Sequence, residues 1–295
     1  ILDDKIFPTT EGLHHFFEKD ENCLRLFLLA KEHKKVIPGS VMEILTQTAG
    51  GNSQALWPLS NRALFRRFLS TPGGIATTLR KMHQTGVLWR IIPEFSRIYC
   101  LVQESRSHFF TTDEHTFRTI EEAEKLMEDQ GLLGTRYAEI RRKDIMHLAL
   151  LLHDIGKGMG GDHSQHGAKV AESVSHLLGY DEEERALLIF LVDRHLLFSD
   201  VAFYRDFTNE PILLTFARAV GRPETLKMLL VLTVADIRAV GPGTWTSWKW
   251  DLLFKLHDEA LEVLTGGGLY TKRDEMTRAR LVEATQGEYP DVWRS

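Results

Sequence analysis

The sequence predicts an all-α protein, and three observations carry that prediction. Nothing in the chain alternates with period two for long enough to argue a sheet. Two stretches, 145–152 and 228–235, are apolar nearly all round, as helices buried on most faces are. Helix start and stop signals also recur along the chain.

In chain order, Ser60 is placed to cap a helix through Ala63, Leu64 and Phe68, and Gly86 to close the one containing Leu79 and Met82. Pro93 suits a first helical turn. Thr112 or Asp113 would cap a helix running through Phe117, Ile120 and Ala123. A further helix begins at His163, and Asp181 with Glu184 forms a capping box opening the helix of Leu187, Leu188, Phe190 and Leu191. Pro211 suits another first turn, and Gly221 followed by Pro223 marks a stop and restart. Three expected regions follow: short amphipathic helices over 1–104, longer and more apolar helices over 105–264, and a polar tail over 265–295 after the break at Gly266-Gly267-Gly268.

With 295 residues, 43% hydrophobic and 26% charged, the composition is that of a globular protein. A formal net charge of -5 gives no reason to expect nucleic acid or an anionic membrane as a main partner. No apolar run is long enough to span a membrane. The two cysteines, Cys23 and Cys100, read as reduced core thiols of a cytoplasmic protein. The start, Ile1-Leu2-Asp3, has neither an initiator Met nor a signal peptide, so a processed chain or a piece of a longer one is expected.

The helix of Ile145 to Leu152 runs into His153-Asp154 and then Ile155-Gly156-Lys157-Gly158. An ionised carboxylate at the end of such a helix is costly unless it is paired or coordinates a metal. Asp236 follows the second apolar helix, and His115 sits early in its own helix. His115, His153, Asp154 and Asp236 therefore stand out as a candidate metal-binding set. Imidazole nitrogen and carboxylate oxygen without thiolate suit manganese, iron, cobalt, nickel or zinc. Such an ion would lower the pKa of a bound water. Asp154 and Lys157 are the catalytic candidates. Lys157, Arg194 and Arg238 are candidate phosphate contacts, and the glycines of 156–161 would let backbone N–H groups approach a phosphate.

A His, a His-Asp doublet and a distant Asp resemble the HD superfamily of metal-dependent phosphohydrolases. In that light His163 and His195 resemble ligands of a second ion, with Asp154 shared between the two. The surroundings narrow the likeness. His108-Phe109-Phe110-Thr111-Thr112-Asp113-Glu114-His115-Thr116, Leu151 to Gly158 with Gly160-Gly161-Asp162-His163-Ser164, and Leu232 to Gly243 continued by Trp245, Trp248 and Lys249 are similar to the bifunctional uridylyltransferase/uridylyl-removing enzymes that act on the PII nitrogen-signalling protein. Gly86-Val87-Leu88 and Ile92-Pro93-Glu94-Phe95 upstream extend the likeness.

The resemblance implies an HD-domain helical bundle over 105–264 preceded by a smaller helical linker region. The implied activity is a manganese- or magnesium-dependent phosphodiesterase that removes UMP from a tyrosine of uridylylated PII. No nucleotidyltransferase Gly-Ser with a paired Asp-x-Asp and no βαββαβ pattern is found, so uridylyl transfer is not expected of these residues. A hydrolase of a free nucleotide, or a slow metal- and nucleotide-binding regulatory module, are the competing readings.

Other residues read more plainly. His147 suits a core histidine bonded to backbone. His108 and His166 fit either a supporting role beside the ions or ordinary surface. His14, His15, His33, His83, His176 and His257 read as surface or packing. Trp245, Trp248 and Trp250 read as core and interface aromatics, and Glu121, Glu122 and Glu124 as a solvated helix face.

Overall fold

A computed structural model describes residues 5–6, 16–49, 59–102 and 109–266. His14, His15, His108, Gly267, Gly268 and the tail beyond them lie outside the described residues. Among the described residues the secondary structure is helical, apart from an isolated parallel bridge between Lys5 and Val36.

The N-terminal helices are α1 (Asp20–Glu32), α2 (Gly39–Ala49), α3 (Leu59–Ser70), α4 (Ile75–Gln84) and α5 (Val87–Ile91), followed by a 3-10 turn over Pro93–Ile98. Next come α6 (Thr112–Lys125), α7 (Leu132–Glu139) and α8 (Lys143–Leu152). The rest is α9 (His163–Leu178), α10 (Glu182–Asp193), α11 (Leu197–Tyr204), α12 (Glu210–Val220), α13 (Pro223–Val240) and α14 (Ser247–Thr265). No described helix is long and apolar enough to cross a membrane.

The two helices that are apolar all round are the innermost. Every residue of α8 from Asp144 to Leu152 is buried, as is α13 from Met228 to Ala235. Side chains of this type each gain about 1.5–3 kcal/mol from burial. α8 is therefore surrounded, with α3, α6, α10 and α13 packed on it, while α6 also lies along α13 and α4. Among the described residues a single hydrophobic core runs from Ile6, through the N-terminal helices, to Ala260 in α14.

Polar ties reinforce that continuity. His147 sits on α8 between the Leu69 carbonyl (2.6 Å) and the Tyr137 hydroxyl (2.8 Å), the core histidine expected. Burial pushes its pKa down to about 4, so the ring is neutral. Arg66 of α3 reaches Asp144 and Glu184, both at 3.4 Å.

Several boundary signals hold. Asp181 and Glu184 form the capping box, Pro93 and Pro211 sit in first turns, and Gly221 closes α12 before Pro223 opens α13. Others differ. Ser60 lies inside α3, which starts at Leu59, and its hydroxyl turns to Glu21 at 3.2 Å. Neither Thr112 nor Asp113 caps α6: Thr111 holds the capping position without a side-chain cap bond, its side chain bonding instead to Asp113, which is engaged with His83 of the N-terminal helices. Glu124 is not solvated. Its carboxylate accepts from the N–H groups of Gly73 (2.8 Å), Ile75 (2.8 Å) and Ala76 (3.1 Å), closing the start of α4 from another helix. Glu121 holds Arg80 at 2.8 Å.

The histidines and aromatics also sort unevenly. His83 and His257 are buried, whereas His33 and His176 are exposed. Trp248 is 57% exposed and stacks on Phe203, rather than packing in the core. Cys23 is buried as expected, but Cys100 is exposed, on a backbone turned left-handed at φ +51°.

Candidate metal centre

Each of the six proposed ligands is delivered by a different piece of local structure, except for the doublet. His115 points from the first turn of α6. His153 and Asp154 follow the last turn of α8. His163 is the first residue of α9, whose start Asp162 caps by accepting from Ser164 N–H and Gln165 N–H. His195 lies in the turn after α10, which ends at Asp193. Asp236 sits one turn before the end of α13, so it projects from the body of that helix rather than from its tip.

The helices bring all six together. His115 Nε2 is 2.8 Å from Asp236 Oδ1 and 3.6 Å from Asp154 Oδ2. His153 Nε2 is 3.4 Å from Asp154 Oδ2 and 3.6 Å from Asp236 Oδ1. On the other side of the same carboxylate, Asp154 Oδ1 faces His163 Nε2 at 3.8 Å and His195 Nε2 at 3.9 Å. Two triads result, His115–His153–Asp154 and Asp154–His163–His195, each with its ligand atoms within 4.8 Å of one another. Asp154 belongs to both.

The rings are oriented from behind. His153 Nδ1 bonds the Leu150 carbonyl and His195 Nδ1 the Val192 carbonyl, each at 2.8 Å. A carbonyl can only accept, so both Nδ1 atoms carry hydrogen and both Nε2 atoms face inward. His153 Nε2 is fully buried and has no hydrogen-bond partner. Such an orphan is costly in a core and is what a ligand atom without its ion would be.

Charge tells the same story. Burial works against a charged ring at His153, yet Asp154 and Asp236 outweigh it and push its pKa up to about 10. Burial alone would raise Asp154 and Asp236, but His153, Lys157 and His195 hold the first well below the carboxylate range. His115 and His153 do the same for the second. Burial, with the His153 charge added, lowers His195 to about 4, and burial lowers His163 as well. Buried Asp154 and half-buried Asp236 demand positive charge, and the nitrogens around them fit a divalent cation.

The centre opens into a cavity of about 630 Å³ lined by His115, Asp154, Lys157, His163, His195 and Asp236. Its rim is the glycine loop, with Gly158, Gly160 and Gly161 exposed. His153 lies beneath it. Lys157 Nζ is 2.7 Å from Asp154 Oδ2. Arg194 and Arg238 do not line the cavity: Arg194 pairs with Asp193 at 2.9 Å, and Arg238 lies over the Trp245 ring at 4.8 Å. Leu196 and Val240 line it unannounced, because a lone apolar residue carries no positional signal in sequence.

Gly156 is required by a close approach. A Cβ there would stand 2.1 Å from the His163 carbonyl oxygen and 2.7 Å from Gly167 N. The start of α9, and with it His163, is thus seated directly on the backbone at Gly156, two residues after the doublet.

Comparisons with known proteins place two family matches on the chain. Residues 112–238 match the HD domain, and residues 11–91 match the third domain of uridylyltransferase GlnD. The chain is 36% identical over 280 residues to a bifunctional uridylyltransferase/uridylyl-removing enzyme of Bradyrhizobium sp. (strain ORS 278), covering 92% of this chain and 29% of that one. It is 38% identical over 258 residues to the enzyme of the same name from Azospirillum brasilense, covering 84% and 28%. With that of Gluconobacter oxydans (strain 621H) it shares 40% over 198 residues, covering 65% and 21%. The chain spans less than a third of the length of these curated relatives. The chain thus carries an HD domain over residues 112–238 and, ahead of it, a third-domain segment of the GlnD type over residues 11–91.

Proposed function

We propose that this chain is a metal-dependent phosphodiesterase that releases UMP from a tyrosine of a PII-type protein. Its active site is the centre around Asp154. The observation that supports this reading most is the shared carboxylate. Asp154 turns one oxygen to His115 and His153 and the other to His163 and His195, so one side chain serves two sets of nitrogens.

In this reading His115, His153, Asp154 and Asp236 hold one ion, and Asp154, His163 and His195 a second, with manganese or magnesium the family's expected metals. When bound, a divalent ion supplies a water of lowered pKa and neutralises charge on phosphoryl oxygens. The Leu150 and Val192 carbonyls keep the His153 and His195 rings turned inward. Lys157 supplies a cation beside the cavity for a phosphoryl oxygen, and the glycine loop leaves room for the phosphodiester to approach.

A protein-borne ester is favoured over a free nucleotide by what lines the cavity. Its rim is the exposed Gly158, Gly160 and Gly161, so the cavity is open enough for an ester carried on a protein surface to approach. Uridylylated PII, incubated with the chain and manganese, is expected to lose UMP, while free nucleotides are left intact. Hydrolysis of free nucleotides without release from PII would overturn the substrate. Asp154→Ala is expected to lose both metal and hydrolysis, and full metal occupancy in that variant would overturn the ligand set.

A further inference from the structure

The helix that carries His115 is gripped at its start by the N-terminal helices. Two residues before His115, Asp113 is buried, and its Oδ2 accepts from His83 Nε2 at 3.1 Å and from the Cys100 N–H at 3.0 Å. Trp89 Nε1 lies 3.0 Å from the other ring nitrogen of His83, Nδ1. An indole N–H can only donate, so Nδ1 accepts and Nε2 carries the proton that His83 gives to Asp113. The ring is thus held in one tautomer, and Phe95 and Phe117 pack against it edgewise at centroid distances of 5.5 and 5.4 Å.

Cys100 adopts its left-handed backbone at this same point, a conformation uncommon for a residue with a side chain. Its N–H is the second donor to Asp113. Residues two apart on a helix project roughly 200° from one another. Asp113 therefore faces the N-terminal helices while His115 faces Asp236 on α13, and fixing one side of the turn sets the other.

We infer that His83 is a positioning residue for the metal centre: through Asp113 it fixes the first turn of α6 and so the place of the His115 imidazole. The inference rests on the reading of His115 as a metal ligand. It gives the N-terminal helices a part in the chemistry that an HD domain taken alone would lack.

The test is calorimetric titration of the metal-stripped chain with Mn²⁺, with thermal melting of each protein alongside. His83→Ala is expected to weaken Mn²⁺ binding by roughly 10-fold or more, the range typical of groups that orient metal ligands. His83→Gln should restore most of the affinity, since its amide oxygen can accept from Trp89 and its nitrogen can donate to Asp113. Leu45→Ala, which hollows the N-terminal core at α2, should lower the melting temperature and leave Mn²⁺ affinity unchanged. Wild-type affinity in folded His83→Ala, or an equal loss in Leu45→Ala, would overturn the inference. Undiminished binding by His115→Ala would instead overturn the ligand assignment on which it stands. If His83→Ala does not fold, His83→Gln and the ¹⁵N shifts of His83 decide. The Nε2–H tautomer is expected in the wild type, and an Nδ1–H tautomer would refute the clasp.

Discussion

Lys157 places its ammonium 2.7 Å from Asp154 Oδ2, on the oxygen that His115 and His153 also face. A lysine and a metal ion would therefore draw on the same carboxylate, and like charges at such range repel. An ion arriving at that oxygen would release the lysine toward the cavity it already lines. Lys157→Met should separate the two roles. Metal affinity is expected to hold or rise, while kcat/KM for the phosphodiester falls on the order of 10–100-fold, as loss of a charged contact to the transition state would produce. A parallel fall in metal affinity would show that the lysine supports the ligands instead.

The raised pKa of His153 predicts proton release. At about 10 it stands above the ordinary value of 6.5, so its contribution to the metal-free protein is fully present below pH 6.5 and is lost as pH rises through 10. A ligating imidazole must be neutral, so binding at pH 7.5 should eject about one proton. Titrations in buffers of different ionisation enthalpy would show it as a slope. The metal-free melting temperature should also lose this contribution between pH 7 and 10. A slope of zero would mean that His153 is already neutral.

Much of the centre was legible because its chemistry is concentrated in polar residues where a core needs none. His153, Asp154 and Asp236 interrupt apolar helices, and that contrast is visible in one dimension. Arg194 and Arg238 stand close in sequence to His195 and Asp236, yet Arg194 turns back to Asp193 after α10 ends, Arg238 and Asp236 leave α13 in different directions, and neither arginine lines the cavity. The partners of Glu124 and His83 are hidden in the sequence for a related reason. A carboxylate on a charged helix face looks solvated until another helix places its N-terminus there. His83, one residue after Met82 on an amphipathic helix, shows its partner only once α6 is laid against α4.

Gly156→Ala should be far more damaging than a loop substitution. The added methyl would meet backbone, the His163 carbonyl oxygen at 2.1 Å and Gly167 N at 2.7 Å, and neither can swing aside as a side chain would. Overpacking of this kind costs about 1–3 kcal/mol or more. The strain falls on the seat of His163, so the second triad should suffer first. Metal titration is expected to show one weakened site beside one near-normal site, together with a lower denaturation midpoint. Gly160→Ala is the control: nothing lies within 4 Å of its Cβ position, and what remains is the strain of its φ of +74°.

Glu124 ties α6 to α4 without taking part in the centre. Its two oxygens accept from three backbone N–H groups: Ile75 and Ala76, which the first turn of α4 leaves without helical partners, and Gly73 just ahead of the helix. The carboxylate also sits where the α4 macrodipole is positive, which strengthens each bond. Glu124→Ala leaves three donors to seek water and removes the charge. The expected loss is about 1–2 kcal/mol, the scale of a helix cap, read as a lower urea midpoint at constant m-value. Glu124→Gln keeps an acceptor and should recover part of it. Glu124 lies more than two helical turns from His115, so Mn²⁺ affinity should remain that of the wild type at temperatures where the variant is folded. A large affinity loss in Glu124→Ala would mean that the whole of α6 shifts as a rod, so that its two ends are not independent.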